Sequence, residues 1–595
     1  MTERVKKMLT RSWELFRAGT AALTVFVPIF AIMVLDHVLA RFASDGYSVY
    51  GHPEWSAFGD SLLVLTLFFA ALCFRCRHFA AAAAVLAGAD LLLKIFTLVL
   101  YRETFMSTDF ADLKLLWEHT DWFAVRAVLG EHCLWWLIPA VSSVLAAVVG
   151  AGLLAWRTIR GIGRRQRLVW MVFTGALLVL SVVNTVVFLC AEKRAAPEVY
   201  SGHLVRPLPV SAAYFMRDAL RTKRRSSATP LSAESRKILE ALEVVPPTGT
   251  PSGPPAPARF DRIVVIALES LDLAYVRAAD PKMPEGVTPN LDRLIAEHPS
   301  MNNYFCAAQP TSWGLTGMLL SRFDFDREDG RRPSLFTVAS GLGYRTGYFS
   351  PMTGVFANNR RTYADAFAPE KMYFLEEWNR KYGLRRSFLW GISDRELYGC
   401  VLAELRSWRD RRFVVLISTM DTHHPYTADG ITEEEKKRFP TPFLQALHTA
   451  DRHLGEFLRE LTADKNLYDD RTLIVVTADH TATHGENYLG RREYVPERVP
   501  LIFVTPDRSA FAKLDRNKYA SGIDLAPTLV EFVGGEIPAS FMGRSLFSRK
   551  DLALSWMMGE LLLVRSPKGE WRLRIGRRDP DPQKQALLDF FDSHY

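Results

Sequence analysis

The feature that most constrains this chain is the crowding of its apolar residues into the first third. Before about residue 191, five runs approach the roughly 20 apolar residues that a helix needs to cross a ~30 Å hydrocarbon core. They are about Ala18 to Ala40, Ser56 to Phe74, Phe79 to Tyr101, Cys133 to Trp156 and Leu168 to Ala191. The first run is too long and too late for a cleaved signal peptide, so it reads as a spanning helix. At 595 residues and 49% hydrophobic content the chain exceeds one ordinary domain. The expected division is a five-span α-helical transmembrane bundle over 1–191, a linker with short helices over 192–259, and a soluble domain over 260–595.

Loop charges set the orientation. Basic residues gather at the N-terminus (Arg4, Lys6, Lys7, Arg11, Arg17), at Arg75 and Arg77, and from Arg157 to Arg167, whereas the alternate loops carry Asp45, Glu54, Asp109, Asp112, Glu118 and Asp121. Positive loops stay in the cytoplasm, and an odd number of spans that starts inside ends outside. The soluble domain is therefore expected on the extracytoplasmic face of the cell membrane. The net charge of +8 belongs to residues flanking the spans and in the linker, which fits a membrane surface and predicts no nucleic-acid partner. Asp90 and Lys94 share a helix face four residues apart, a structural pair within the bundle. The loop from Arg102 to Glu131 mixes aromatic and acidic residues and is expected at the bilayer interface.

From Glu192 to about Arg259 the sequence turns to arginine, proline, serine and glycine, with helical patterning only over Val210 to Arg221 and Ser232 to Leu242. Beyond it, strand-like runs at Arg262–Leu268, Thr346–Phe349, Phe413–Ser418, Leu473–Thr477 and Leu501–Val504 alternate with helical patterns. This is the signature of an α/β domain with a mostly parallel sheet. Two runs end in acidic residues, Glu269 and Asp479, and His480 follows the latter. Ligands bind at the carboxyl ends of strands in such sheets. Two carboxylates and an imidazole there suit one divalent zinc or manganese ion with an open position. Of six cysteines only Cys306 and Cys400 belong to the soluble part, which excludes a disulfide framework.

In order, the motifs are IVVIALES, QPTSWGLTGMLLS, MDTHHPY, TADHTATHGE, VPLIFVTP and SGIDLAPTLVEFVG. Together they resemble the alkaline phosphatase superfamily. Within that sulfatase-like group they are similar to the membrane-anchored lipoteichoic acid synthases, phosphoglycerol transferases and phosphoethanolamine transferases. The resemblance implies metal ligands Glu269, Asp479, His480 and Thr311, with Thr311 also the catalytic nucleophile; Ser312 and Thr316 are alternatives in the same turn. A threonine hydroxyl is inert at neutral pH and needs a cation to favour its alkoxide. His423 matches a substrate-phosphate or proton-transfer histidine, with His424 as the neighbouring candidate. Arg360 falls in a polar and basic substrate patch, with Asn359 and Arg361 as alternatives, and Trp390, Gly391 and Asp394 resemble framework near the pocket.

Phosphoethanolamine transferases usually carry several disulfides and a further histidine where Arg491 and Arg492 stand here. Their absence favours phosphoglycerol transfer from phosphatidylglycerol to an extracytoplasmic glycan or lipid. The stretch from Cys306 to Thr311 lacks the C/S-x-P-x-R nucleophile pattern of true sulfatases, which argues against sulfate ester hydrolysis. His484 has no assigned role. Phosphoethanolamine transfer and a non-catalytic lipid-binding role on the same scaffold remain the alternative readings.

Overall fold

The computed structural model describes residues 66, 171–172, 174–180, 182–183, 231–246, 257–323, 333–356, 359–388, 390–423, 426–482, 497–557 and 561–594. The first, third and fourth apolar runs, the Asp90–Lys94 pair, the aromatic loop and Val210 to Arg221 lie outside these residues. So do His424, His484, Arg491 and Arg492. In the fifth run the described residues are helical, and Met171, Val172 and Leu178 to Leu180 expose apolar side chains. Among the described residues no helix is long and apolar enough to cross a membrane. The chain divides into two compact units, residues 1–118 with 122–224, and residues 119–121 with 225–595. Every candidate site residue belongs to the second unit.

The centre of this unit is a six-stranded sheet. In chain order the strands are β1 (Arg262–Leu268), β3 (Arg345–Phe349), β4 (Lys371–Tyr373), β5 (Phe413–Ser418), β6 (Thr472–Ala478) and β7 (Leu501–Val504), arranged β4-β3-β5-β1-β6-β7. The short β2 (Asn303–Phe305) and β8 (Tyr519–Ser521) pair with each other in a separate parallel ribbon. All pairs in the central sheet are parallel except β6 with β7. Strands β5 and β6 are buried at every position, and β1 at all but its first. Their continuous β-branched runs follow from cover on both faces, where no position needs a polar side chain. Register then aligns their carboxyl ends. Ala267 pairs with Ser418 on one side, and Leu268 with Ala478 on the other. Glu269, Thr419 and Asp479 therefore emerge side by side.

Four helices matter for the site. Helix α1 (Thr311–Leu320) starts on the nucleophile candidate, and α2 (Asn359–Phe367) on the basic patch. Helix α3 (Asp394–Ser407) opens with a capping box, in which Ser393 accepts from the Glu396 N–H and the Glu396 carboxylate accepts from the Ser393 N–H. Such a cap contributes about 1 kcal/mol and fixes where the helix begins. The 22-residue α4 (Pro442–Ala463) packs against α3.

A three-stranded antiparallel sheet, β9 (Ala553–Met557), β10 (Leu561–Ser566) and β11 (Gly569–Arg574), backs the segment that leads into α1. The Trp556 N–H donates to Ala307 C=O, and Ser555 Oγ donates to Cys306 C=O. The helix Ala233–Ala241 buries Leu239 in the core of that sheet, with Ser232 as its N-cap. The sequence places this helix in the linker, because its surroundings are polar and proline-rich. Only the tertiary structure reveals that its apolar stripe has a partner.

Candidate metal centre

Glu269, Asp479 and His480 each offer a ligand atom, and these atoms lie within 4.8 Å of one another. All three side chains are buried. Thr311 Oγ1 joins them, 3.2 Å from Glu269 Oε2 and 3.2 Å from His480 Nε2. Four residues from positions 269 to 480 thus converge, because β1 and β6 are neighbours and α1 begins over their ends.

The approach of α1 is close. A Cβ on Gly314 would stand 2.1 Å from the carbonyl oxygen of Asp479. Only glycine lets the helix backbone rest directly on the ligand's own peptide.

Supporting hydrogen bonds orient the ligand atoms. Ser270 Oγ donates to Glu269 Oε1 at 2.6 Å, and the Ser270 N–H donates to Asp479 Oδ1 at 3.0 Å. Ser270 adopts φ 51°, a left-handed conformation that is costly for a serine and recurs at functional sites. The His480 N–H also donates to Asp479 Oδ1, at 2.7 Å. His480 Nδ1 lies 2.8 Å from the Thr481 carbonyl, which as an acceptor requires the proton on Nδ1. That leaves Nε2 facing the carboxylates, at 3.4 Å from Glu269 and 3.6 Å from Asp479, as the nitrogen that takes either a proton or a cation.

Asp479 Oδ2 is buried and accepts no hydrogen bond from any described residue. An orphaned buried carboxylate oxygen is expensive. Here it points into a cluster of oxygen and nitrogen acceptors, the donor set of a zinc or manganese ion. The residues fit the group.

Electrostatics leads to the same conclusion. Burial raises Glu269, but the hydrogen bond and charge of His480, with His423 adding, outweigh it and hold the carboxylate low. Asp479 is pushed up, first by burial and then by the Glu269 charge. Burial opposes charge on His480, yet Asp479 and Glu269 together raise it to about 9. The two carboxylates thus hold a positive charge on His480, a place that a divalent cation can take.

The other expected site residues are placed differently. His423 packs edge-on against Trp390, with ring centroids 4.4 Å apart, and acts electrostatically on Glu269. Arg360 forms ion pairs with Glu377 at 2.6 Å and Glu376 at 2.8 Å, so two carboxylates already occupy its guanidinium. Its neighbour Arg361 pairs with Asp365, and the Asn359 amide donates to the Met352 sulfur at 3.8 Å. Thr316 is buried and donates to the Ser312 carbonyl within α1. Cys306 and Cys400 are both free thiols. Sequence reasoning missed Ser270, although a hydroxyl directly after a strand-end carboxylate is a readable hint. It also missed Thr419 and Thr422, which bond the Glu269 backbone.

Residues 261–535 match the sulfatase family model, so this chain carries a sulfatase-family domain of the alkaline phosphatase superfamily. The chain is 36% identical over 80 residues to the multifunctional alkaline phosphatase superfamily protein PehA of Trinickia caryophylli, covering 13% of this chain and 16% of that one. It is 24% identical over 319 residues to lipoteichoic acid synthase 2 of Bacillus subtilis (strain 168), covering 47% of this chain and 45% of that one. The matches thus span less than half of either curated relative. A solved structure of an alkaline phosphatase superfamily protein from Vibrio parahaemolyticus superimposes with a TM-score of 0.46 at 17% identity, over 60% of this chain and 94% of that one.

Proposed function

We propose that this chain is a membrane-anchored, metal-dependent transferase that moves the phosphoglycerol headgroup of phosphatidylglycerol to an extracytoplasmic glycan or lipid. The observation that carries the reading is Thr311 Oγ1, equidistant at 3.2 Å from a carboxylate and an imidazole of the metal cluster. A half-buried threonine at the start of a helix has no structural need of such partners. A divalent manganese or zinc ion held by Glu269, Asp479, His480 and Thr311 would offset the carboxylate charge and favour the deprotonated threonine oxygen.

Thr311 oxygen attacks the donor phosphorus, the bond from phosphorus to the diacylglycerol oxygen breaks, and that oxygen takes a proton from His423. The product is a glycerol phosphodiester on Thr311. In the second half, neutral His423 takes the proton of the acceptor hydroxyl as its oxygen attacks phosphorus. Thr311 oxygen then leaves, and the starting state returns. The first, backbone-bound turn of α1 fixes the position of the nucleophile before substrate arrives.

The apolar runs and the exposed apolar side chains from Met171 to Leu180 support the membrane anchor. The scarcity of cysteines supports phosphoglycerol over phosphoethanolamine. The test is mass spectrometry of the tryptic peptide from Leu294 to Arg322 after exposure to phosphatidylglycerol. A phosphoglycerol adduct on Thr311 is expected. Modification only with phosphatidylethanolamine would transfer the reading to that donor, and no adduct from either lipid would remove the covalent mechanism.

A further inference from the structure

Three buried titratable side chains outside the metal cluster, Asp394, Asp421 and His453, take no direct part in the transfer chemistry. Each exposes 2% of its surface or less. They tie together three distant pieces of chain. Asp394 is the first residue of α3, Asp421 lies in the turn after β5, and His453 sits in the middle of α4.

The first two grip each other reciprocally. Asp394 Oδ1 accepts the Met420 N–H at 2.7 Å and Oδ2 accepts the Asp421 N–H at 3.1 Å, while Asp421 Oδ1 accepts the Asp394 N–H at 3.1 Å. The remaining oxygen, Asp421 Oδ2, lies 3.1 Å from His453 Nδ1. A carboxylate only accepts, so that nitrogen carries the proton and donates. Two carboxylates this close and this buried disfavour each other's charge: Asp394 is pushed well above its usual range by burial and then by Asp421. Joining a helix to a loop requires no such arrangement, since an amide or hydroxyl would serve.

What they hold is the turn from Met420 to His423, closed by the His423 N–H donating to the Met420 carbonyl at 2.9 Å. Its other side is fixed to the metal ligand. Thr422 Oγ1 donates to the Glu269 carbonyl, and the Glu269 N–H donates to Thr419 Oγ1 at 2.9 Å. The turn is thus gripped between Glu269 on one side and α3 with α4 on the other, and His423 projects from its end against Trp390.

We propose that Asp394, Asp421 and His453 are positioning residues that hold the His423 imidazole at the distance from Thr311 that proton transfer to the leaving diacylglycerol oxygen requires. The inference rests on the role proposed for His423 as proton donor. These side chains act through the backbone of the turn and touch no reacting atom.

The experiment uses the full chain with phosphatidylglycerol vesicles and a manganese supplement, following diacylglycerol release at saturating donor. Wild type is compared with Asp421→Asn, His453→Leu, His453→Asn, His423→Ala and the Asp421→Asn/His423→Ala double variant. A misplacement on the order of 1 Å costs roughly 100-fold. Asp421→Asn and His453→Leu are therefore expected to lower kcat by about that factor with KM within about threefold of wild type, since a loss confined to the transition state falls on kcat. His453→Asn restores an N–H donor at the Nδ1 position towards Asp421 and recovers most of the loss. In the His423→Ala background Asp421→Asn has no further effect, because the group it positions is gone.

Additive losses in the double variant overturn the proposal, since a brace for the whole domain acts whether or not His423 is present. So does a kcat loss that merely tracks reduced metal content or a lowered melting temperature. If His453→Leu fails to fold, Asp421→Asn, alone and combined with His423→Ala, still decides the matter. A His423→Ala variant as active as wild type removes the role of His423, and this inference with it, while the Thr311 adduct would still stand.

Discussion

The two poles of the site are built by different means. At the metal pole Glu269, Asp479 and His480 follow neighbouring parallel strands whose register fixes their separation. Position along the strand leaves little freedom. At the other pole Arg360 and His423, expected from the sequence to meet substrate, sit on a helix start and a turn, and their partners are chosen by packing. Arg360 is claimed by Glu376 and Glu377, whereas His423 is held by its turn and by Trp390. The difference teaches that strand ends dictate function-bearing geometry, while loops negotiate it.

Removal of the proposed nucleophile should have the largest effect. Thr311→Ala is expected to reduce diacylglycerol release by roughly 10⁴-fold or more, with Thr311→Ser retaining measurable turnover and both proteins folding normally. Full activity in Thr311→Ala would dissolve the metal pole as a catalytic unit.

A subtler break comes from Gly314→Ala. The added Cβ meets the Asp479 backbone at 2.1 Å, and neither helix nor strand can yield cheaply. We expect a destabilisation of about 1–3 kcal/mol and a loss in turnover on the order of 100-fold, read by calorimetry and by vesicle assay. A neutral substitution would mean that the two elements are looser than the contact implies.

Chelation separates the poles by pH. His480 is held above its ordinary 6.5, at about 9, by Asp479 and Glu269 against the opposing effect of burial. In chelated protein its contribution to stability is fully present below pH 6.5 and is lost as pH rises through about 9. A melting temperature that falls over that window is expected. A bound divalent ion reverses the trend, because metal competes with the proton on the same imidazole. Parallel melting curves with and without metal would argue that no ion binds there.

The smallest effect should come from Arg360→Ala. Its ion pairs with Glu376 and Glu377 are partly exposed, so their loss should cost less than about 1 kcal/mol, with turnover within about threefold. A much larger drop in turnover at unchanged melting temperature would give Arg360 a substrate role and erase the contrast between the poles.

Legibility in the sequence divides along the same line. The strands carrying Glu269 and Asp479 were visible because their unbroken apolar runs end abruptly in charge, and the mostly parallel sheet followed from their spacing. Motif order pointed to Thr311. The commitment of Arg360 was hidden, because the glutamates that claim it lie on a different helix, 16 and 17 positions on. The antiparallel setting of β7 was equally hidden, since its apolar run reads the same in either direction. So was the grip on the His423 turn: Asp394 and His453 lie 29 residues before and 30 after His423, and nothing in a one-dimensional pattern links an acid that opens one helix to an imidazole halfway along another.

The seat of α1 on the peptide of Asp479 carries a thermal consequence. Warming cannot release Thr311 while leaving the cluster of Glu269, Asp479 and His480 intact, for the two share one bearing surface. Inactivation and metal loss should therefore coincide as a single cooperative event, and an enzyme of this design would fail abruptly instead of fading.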